Sequence, residues 1–105
     1  MYHTVYTYML FQKPIVFAWD QGNNQKNWKK HGVTNEQAEE VFFDDTKKIA
    51  KDVLHSGSEQ RWILLGKTKE KIVLFIVFTL KNSIIRIISA RKVNKKEAYL
   101  YEKTA

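Results

Sequence analysis

Three strand-like runs follow one another in the second half of the chain, separated only by short turns. They span residues 59–68, 71–80 and 83–91. Connections this short cannot hold a crossover helix, so neighbouring runs are expected to pair as antiparallel hairpins. Residues 72–80 are apolar at nearly every position, a pattern typical of a central strand covered on both faces. An antiparallel meander is therefore the expected framework of the fold.

A first helix is predicted between residues 20 and 31. Asp20 is a suitable N-cap, and Gly32 suits the position just after the last turn, which ends near His31. The segment is rich in Asn and Gln, and Trp28 is its one large apolar side chain. We expect Trp28 to anchor this helix.

Capping signals mark two further helices. Thr34, followed by Gln37 three residues later, forms a capping box for a second helix that is expected to close at the acidic pair 44–45. Asn94 and Glu97 have the same spacing before a last helix over residues 95–103. These two helices flank the predicted meander in the chain.

The predicted order of elements is β-α-α-β-β-β-β-α, with short strands at 15–19 and 47–53. It indicates an α+β domain with a mostly antiparallel sheet of three to five strands, on which two N-terminal helices and one C-terminal helix pack. Pro14 marks a boundary because proline cannot donate to a strand ladder. Residues 1–13 are expected to be an N-terminal extension, either a short strand or a loose tail, and residues 14–105 a single domain.

The composition excludes several classes of protein. The chain has no Cys, so it can form neither a disulfide nor a thiolate metal site. The longest apolar run, residues 72–80, is far shorter than the roughly 20 residues that span a bilayer. Residues 1–11 lack the basic start and long apolar stretch of a signal peptide. We therefore expect a cytoplasmic protein without a membrane partner.

The positive charge is concentrated in one half of the chain. The net charge is +7, and residues 61–105 carry eleven Lys and Arg against three acidic residues, whereas residues 1–60 carry seven against eight. A basic half on a small domain favours a polyanionic partner such as nucleic acid. The alternative is a solvated basic surface, and charge alone does not decide between the two.

The three arginines are the candidate phosphate-binding residues. Arg61, Arg86 and Arg91 all fall in the predicted sheet, whereas most of the positive charge is Lys. A guanidinium group stays charged and offers forked donors that match phosphate. In a regular strand, however, Arg86 and Arg91 face opposite sides, and they can share a pocket only if the strand bulges or ends between them. The alternative role is a structural ion pair with Asp20 or a helix carboxylate.

Histidines and one glutamate are the candidate proton carriers. His31 precedes the predicted helix end, where it could act as acid or base or simply interact with the helix dipole. His55 lies in a loop before Glu59 and Arg61, a set that could combine acid, base and phosphate clamp; a plain loop histidine is the alternative. No histidine has metal-ligand spacing, so no metal or other cofactor is expected.

Three motifs occur in order along the chain. They are Phe-Ala-Trp-Asp at 17–20, Lys-His-Gly-Val at 30–33 and Arg-Ile-Ile-Ser-Ala-Arg-Lys at 86–92. In this combination, residues 15–103 resemble the BrnT toxins of type II toxin–antitoxin systems. The resemblance implies a RelE-like fold and a small endoribonuclease that arrests translation by cutting RNA in the bacterial cytoplasm.

The same resemblance implies partners. A BrnA-like antitoxin with a ribbon-helix-helix part is expected to neutralise the toxin, typically as a 2:2 complex that reaches operator DNA only through the antitoxin. Two alternatives rest on charge alone: a non-catalytic nucleic-acid-binding module, or an interaction protein whose basic face seats an acidic partner.

A set of surface residues is the candidate for further RNA contact. It comprises Lys30, Lys92, Lys95, Lys96 and Tyr99. Tyr99 could instead be covered by the antitoxin, and the lysines could form a solvated basic surface. Of the three tryptophans, which could stack on bases, two are expected to pack in the core because each has a large area to bury.

Overall fold

The computed structural model describes residues 2–5, 11, 14–54, 57 and 59–103. The elements in chain order are β1 Tyr2–Val5, β2 Val16–Phe17, α1 Lys26–His31, α2 Asn35–Glu40, a 3₁₀ turn Val41–Phe43, β3 Lys48–Asp52, β4 Arg61–Lys67, β5 Val73–Lys81, β6 Ile84–Lys92 and α3 Lys95–Lys103. None of the helices in these ranges is long and apolar enough to cross a membrane.

The strands form one sheet in the order β1-β3-β4-β5-β6-β2. Every neighbouring pair is antiparallel except β2 and β6, which run parallel. The predicted α+β fold with a mostly antiparallel meander is confirmed, with β5 in its interior. Two short edge strands, β1 and β2, bring the described sheet to six strands. The N-terminal extension was expected to be either a short strand or a loose tail, and Tyr2–Val5 forms a strand.

Each face of the sheet is covered by different helices. Side chains from the N-terminal half, including Val33, Ala38, Val41 and Phe42, pack with one face to form the larger core. On the other face Tyr101 of α3 packs on Ile63, Leu65 and Phe75 in a smaller cluster. Since β5 contributes buried residues to both clusters, its continuous apolar sequence is explained.

The first helix differs from its prediction. It begins at Lys26, because the side chain of Asp20 accepts from the Gly22 amide and organises a turn instead of capping α1. Trp28, the predicted anchor, is 56% exposed, and the buried residue of the helix is Asn27. The reason is that α1 lies along the edge of β6, where backbone groups need polar partners. Gly32 ends the helix with a φ of 69°, as predicted.

The other two helices begin as predicted. The Gln37 amide donates to Thr34 Oγ1 at 3.0 Å, and Gln37 Oε1 accepts from the Thr34 amide. The Asn94 side chain and Glu97 exchange the corresponding bonds at 2.8 and 2.9 Å. Both capping boxes satisfy amides that have no partner inside their helix.

A candidate active site on one face of the sheet

The β5–β6 hairpin contains one extra residue in β6. Its turn, Asn82–Ser83, has φ values of 52° and 65°, as a two-residue type I′ turn requires, and it pairs Lys81 with Ile84. Counted from the turn, the last pair in this register is Phe78 with Ile87. Counted from the open end of the hairpin, the last pair is Val77 with Ser89. Ile88 therefore has no partner and forms a β-bulge.

The bulge places Arg86 and Arg91 on the same face. Arg86 lies opposite Thr79, and Arg91 lies opposite Phe75. Because Thr79 and Phe75 are four residues apart in β5, they share a face, and so do their partners. The condition stated from the sequence, a bulge between the two arginines, is met. The backbone positions of Arg86 and Arg91 are separated by about 13 Å, from the rise of a strand over four residues.

Arg61 belongs to the same face. Trp62 pairs with Phe78, so Arg61, one position earlier, lies beside Thr79. On its other side Arg61 pairs with Asp52, which is buried. Arg61 and Arg86 thus flank the same β5 residue, two strands and about 10 Å apart. We call the surface formed by Arg61, Arg86 and Arg91 the arginine face; it is the face on which α3 packs.

Arg86 is held by Asp20. Its Nε and Nη2 donate to the two carboxylate oxygens of Asp20 at 3.3 and 3.1 Å, and the Arg86 side chain is 36% exposed. The hydrogen bond from Arg86, followed by that from the Gly22 amide, holds the pKa of Asp20 below its usual value. A Cβ at Gly22 would lie 2.7 Å from Arg86 Nη2, so this loop fits closely around the guanidinium group.

Two buried asparagines attach the same loop to the outer edge of β6. Asn23 Nδ2 donates to the carbonyl oxygens of Ala18 and Ile87, each at 3.0 Å. Asn27 Oδ1 accepts from the amide of Ala90 at 2.9 Å. These side chains continue the hydrogen bonding of the sheet on both sides of the bulge, beyond the point where β2 ends.

Arg91 is held by α3. Its Nη1 and Nη2 donate to the two oxygens of Glu97 at 2.8 and 2.9 Å, and its guanidinium carbon lies 4.1 Å from the centre of the Phe75 ring. Burial acts to raise the pKa of Glu97, but the bonds from Arg91 and from the Asn94 amide outweigh it, so this pKa is lowered. Glu97 is therefore a charged anchor for Arg91.

Of the predicted proton carriers, the structure describes His31 and Glu59. His31 is the last residue of α1, one helical turn beyond Asn27, and is half-buried. Glu59 is exposed just before β4. His55 lies outside the described residues, so the predicted set of His55, Glu59 and Arg61 is described only in part.

The predicted surface residues lie at the periphery. Lys30 is exposed on α1, and Lys92 is exposed at the end of β6, opposite Leu74 and hence on the other face from Arg91. Lys95, Lys96 and Tyr99 lie on the outer side of α3, and Tyr99 is 63% exposed. Trp19 and Trp62 pack against the larger core, as expected for two of the three tryptophans.

The roles of Asn23 and Asn27 were not predicted from the sequence. Asn23 and Asn27 are four residues apart in a polar segment. This spacing could have indicated that their two side-chain amides lie on one side of that segment. Asp20 was identified as a partner for an arginine, although not as the partner of Arg86 in particular.

Carboxylate side chains elsewhere in the described part of the chain do not form a competing site. No group of three or more His, Cys, Asp or Glu side chains within the described ranges is placed to hold a metal ion. A groove between α2 and the β4–β5 turn is lined by four carboxylates, those of Glu36, Glu39, Glu40 and Asp44, and by two lysines, Lys67 and Lys69. Because the carboxylates outnumber the lysines, the groove favours a phosphate backbone less than the arginine face does.

Comparison with known proteins identifies the family. A search of curated proteins found no match. The family model described as the ribonuclease toxin BrnT of type II toxin–antitoxin systems matches residues 19–97, well over half of the chain and within the region of the predicted resemblance. A ribonuclease acts on RNA, and a toxin of a type II system has an antitoxin as its partner. The chain belongs to the BrnT family of ribonuclease toxins.

Proposed function

We propose that this toxin is a metal-independent endoribonuclease that binds its substrate on the arginine face. The observation that carries the proposal is the bulge at Ile88, because it directs Arg86 to the same face as Arg61 and Arg91. The three guanidinium groups lie on one rigid sheet, which can hold them in position against RNA, and a guanidinium group can match the geometry of a phosphate.

The chemistry this surface suits is cleavage by the RNA itself. The 2′-hydroxyl attacks the adjacent phosphorus, its proton passes to a base, and the bond from phosphorus to the 5′-oxygen breaks as that oxygen takes up a proton. The products are a 2′,3′-cyclic phosphate and a 5′-hydroxyl end. Negative charge accumulates on the phosphoryl oxygens in the transition state, where fixed cations stabilise it most.

Arg86 is the proposed phosphate-binding residue. Its two bonds to Asp20 use Nε and Nη2, which leaves the Nη1 edge for a phosphoryl oxygen. Asp20 orients the guanidinium group, and the close fit at Gly22 restricts it further. Arg61 lies on the other side of Thr79 and is proposed to meet the next part of the backbone. His31, His55 and Glu59 remain the proposed proton carriers.

The outer side of α3 is proposed to contribute further binding. Lys95, Lys96 and Tyr99 are exposed there, with Lys103 Nζ 5.9 Å from the centre of the Tyr99 ring. Lys30 on α1 and Lys92 at the end of β6 lie off the arginine face, and they are proposed to contact parts of the RNA that reach beyond it. Stacking on Tyr99 and charge from the lysines would together hold a single strand.

The finer identity of the partner is also a proposal. We propose a BrnA-like antitoxin with a ribbon-helix-helix part, assembled 2:2 with the toxin in the cytoplasm and contacting operator DNA for the pair. Its support is the family resemblance. The molar mass of the co-purified complex tests the stoichiometry.

The decisive experiment is to incubate purified toxin with RNA in EDTA and to map the new ends. Cyclic phosphate and 5′-hydroxyl ends support the proposal. Cleavage that occurs only when a divalent ion is restored contradicts metal independence. If the purified toxin binds RNA without cutting it, although its expression arrests the growth of cells, the alternative of a non-catalytic binding module is supported.

A further inference from the structure

The guanidinium groups of Arg86 and Arg91 are held in different ways. Arg86 bonds to the exposed Asp20 at the edge of the sheet, whereas Arg91 bonds to Glu97, which is 3% exposed. Nη1 of Arg91 also donates to the carbonyl oxygen of Lys92 at 3.2 Å. The edge of Arg91 formed by Nη1 and Nη2 is thus directed towards the protein, and a phosphate would have to displace a buried carboxylate to use this edge.

The flat face of the Arg91 guanidinium group has surroundings different from those of the edge that donates to Glu97. The guanidinium carbon lies over the Phe75 ring, 4.1 Å from its centre, so the aromatic ring packs against one side of the group. The Arg91 side chain nevertheless remains 33% exposed. A guanidinium plane held in this way is a surface on which an RNA base can stack.

We propose that Arg91, supported by Phe75 and Glu97, is a stacking platform for one nucleobase of the RNA and does not bind phosphate. The proposal rests on the proposed function and assigns part of its substrate recognition. Glu97 neutralises the charge of Arg91 locally, so affinity at this position comes from the π-faces and their contact area. On the same face, about 13 Å away, Arg86 is left to bind the backbone.

The test uses an RNA that is bound but not cut. The scissile nucleotide, located by end mapping with the wild-type toxin, carries a 2′-O-methyl group, and an abasic ribose is placed at each neighbouring position in turn. With the wild-type toxin, one abasic position is expected to weaken binding on the order of tenfold, the typical effect of losing one stacked base.

Two variants assign that position to Arg91. Arg91→Lys keeps the charge but has no plane, so the abasic substitution should then have little further effect, and the slope of affinity against salt should be unchanged. Arg86→Lys is the matched comparison: it should retain the abasic effect. Glu97→Gln releases the charge of Arg91, so it should retain the abasic effect and steepen the salt dependence by about one ion.

Two outcomes overturn the stacking proposal. In one, no abasic position weakens binding to the wild-type toxin. This measurement uses only the wild-type toxin, so it does not depend on whether a variant folds. In the other, the abasic effect persists in a folded Arg91→Lys toxin, which places the stacked base elsewhere. Failure of the proposed function looks different, because the wild-type toxin would then not cut the unmodified RNA at all.

Discussion

The Tyr101 hydroxyl donates to Asp44 Oδ2 at 2.6 Å and so links α3 to the segment that follows the 3₁₀ turn. Asp44 also accepts from the amides of Thr46 and Lys67 at 3.0 and 2.8 Å. One carboxylate therefore connects the C-terminal helix, β4 and the end of the second helical segment. Burial acts to raise the pKa of Asp44, but these hydrogen bonds outweigh it and lower this pKa.

Tyr101→Phe should destabilise the fold by about 1.5–3 kcal/mol, the usual contribution of a hydrogen bond to a charged group. The ring would still pack on its cluster, while Asp44 would lose one donor in a half-buried position. Urea unfolding at neutral pH measures the change. Tyr99→Phe, on the exposed side of the same helix, is the control and should change the free energy of unfolding by less than about 0.5 kcal/mol.

The stability of the wild-type toxin should fall at alkaline pH. Burial, together with the bond to Asp44, raises the pKa of Tyr101 to about 12, above its ordinary value of 10. The stabilisation is fully present below pH 10 and is lost as the pH rises towards 12. Unfolding free energies measured from pH 9 to 12 should show this decline, and the Tyr101→Phe protein should show a shallower one. Equal slopes would argue against a raised pKa.

Gly66→Ala should be among the most destabilising single changes in the sheet. A Cβ at Gly66 would lie 2.8 Å from both Cβ and the carbonyl oxygen of Val41, and the oxygen belongs to backbone that cannot easily move. The expected cost is about 2–3 kcal/mol, from overpacking. Gly57→Ala is the control, because nothing lies within 4 Å of its added Cβ. Thermal unfolding of both proteins tests the difference.

Asn23→Asp should destabilise the toxin at neutral pH by several kcal/mol, on the order of 3–5. The change places a carboxylate against two carbonyl oxygens in a site that is 1% exposed. Its folded-state pKa would be raised, so the lost stability should return in part as the pH is lowered. Asn24→Asp is the control: Asn24 is exposed, and its side-chain oxygen already accepts from Asn35.

Arg86→Ala should lower the rate of RNA cleavage by about 10²-fold, as expected when one donor to the transition-state charge is removed. The fold should be nearly unaffected, because an ion pair that is exposed to solvent contributes little to stability. Initial cleavage rates and a urea unfolding curve measure the two effects separately. Lys69→Ala, on the β4–β5 turn, is the matched loss of charge. A cleavage rate equal to that of the wild-type toxin would exclude Arg86 from the site.

Local signals explain why most of the fold could be predicted from the sequence. The capping boxes at Thr34 and Asn94 and the continuous apolar run of β5 depend on nearby residues, and the structure confirms them. Trp28 was wrongly expected to be an anchor because its helix packs against a strand edge, where Asn27 meets the need for hydrogen bonds. That need arises from a contact more than sixty residues away, which local patterns do not contain.

The arrangement of the candidate site could be predicted only conditionally. Periodicity alone puts Arg86 and Arg91 on opposite faces, and the sequence shows no direct sign of a bulge. The bulge results from two demands on register: the Asn82–Ser83 turn fixes one end of the hairpin and so puts Ile85 and Ile87 in the larger core, and Ala90, an odd interval beyond Ile87, is buried in the same core. Both demands involve β5, so they become visible only once the strands are paired.

The unpartnered Ile88 also sets a parity rule for this hairpin. Arg86 and Arg91 are an odd number of positions apart, and an odd interval brings two side chains to one side of a ladder only when one intervening residue is skipped. Deleting Ile88 would make the interval even and the strand regular, with both arginines still facing the same way. Deleting Ser89 while Ile88 takes its place in the ladder would have the same outcome. The loss of one residue between the arginines therefore keeps the pairing at both ends without a bulge, whereas the gain of one would leave two residues outside the ladder.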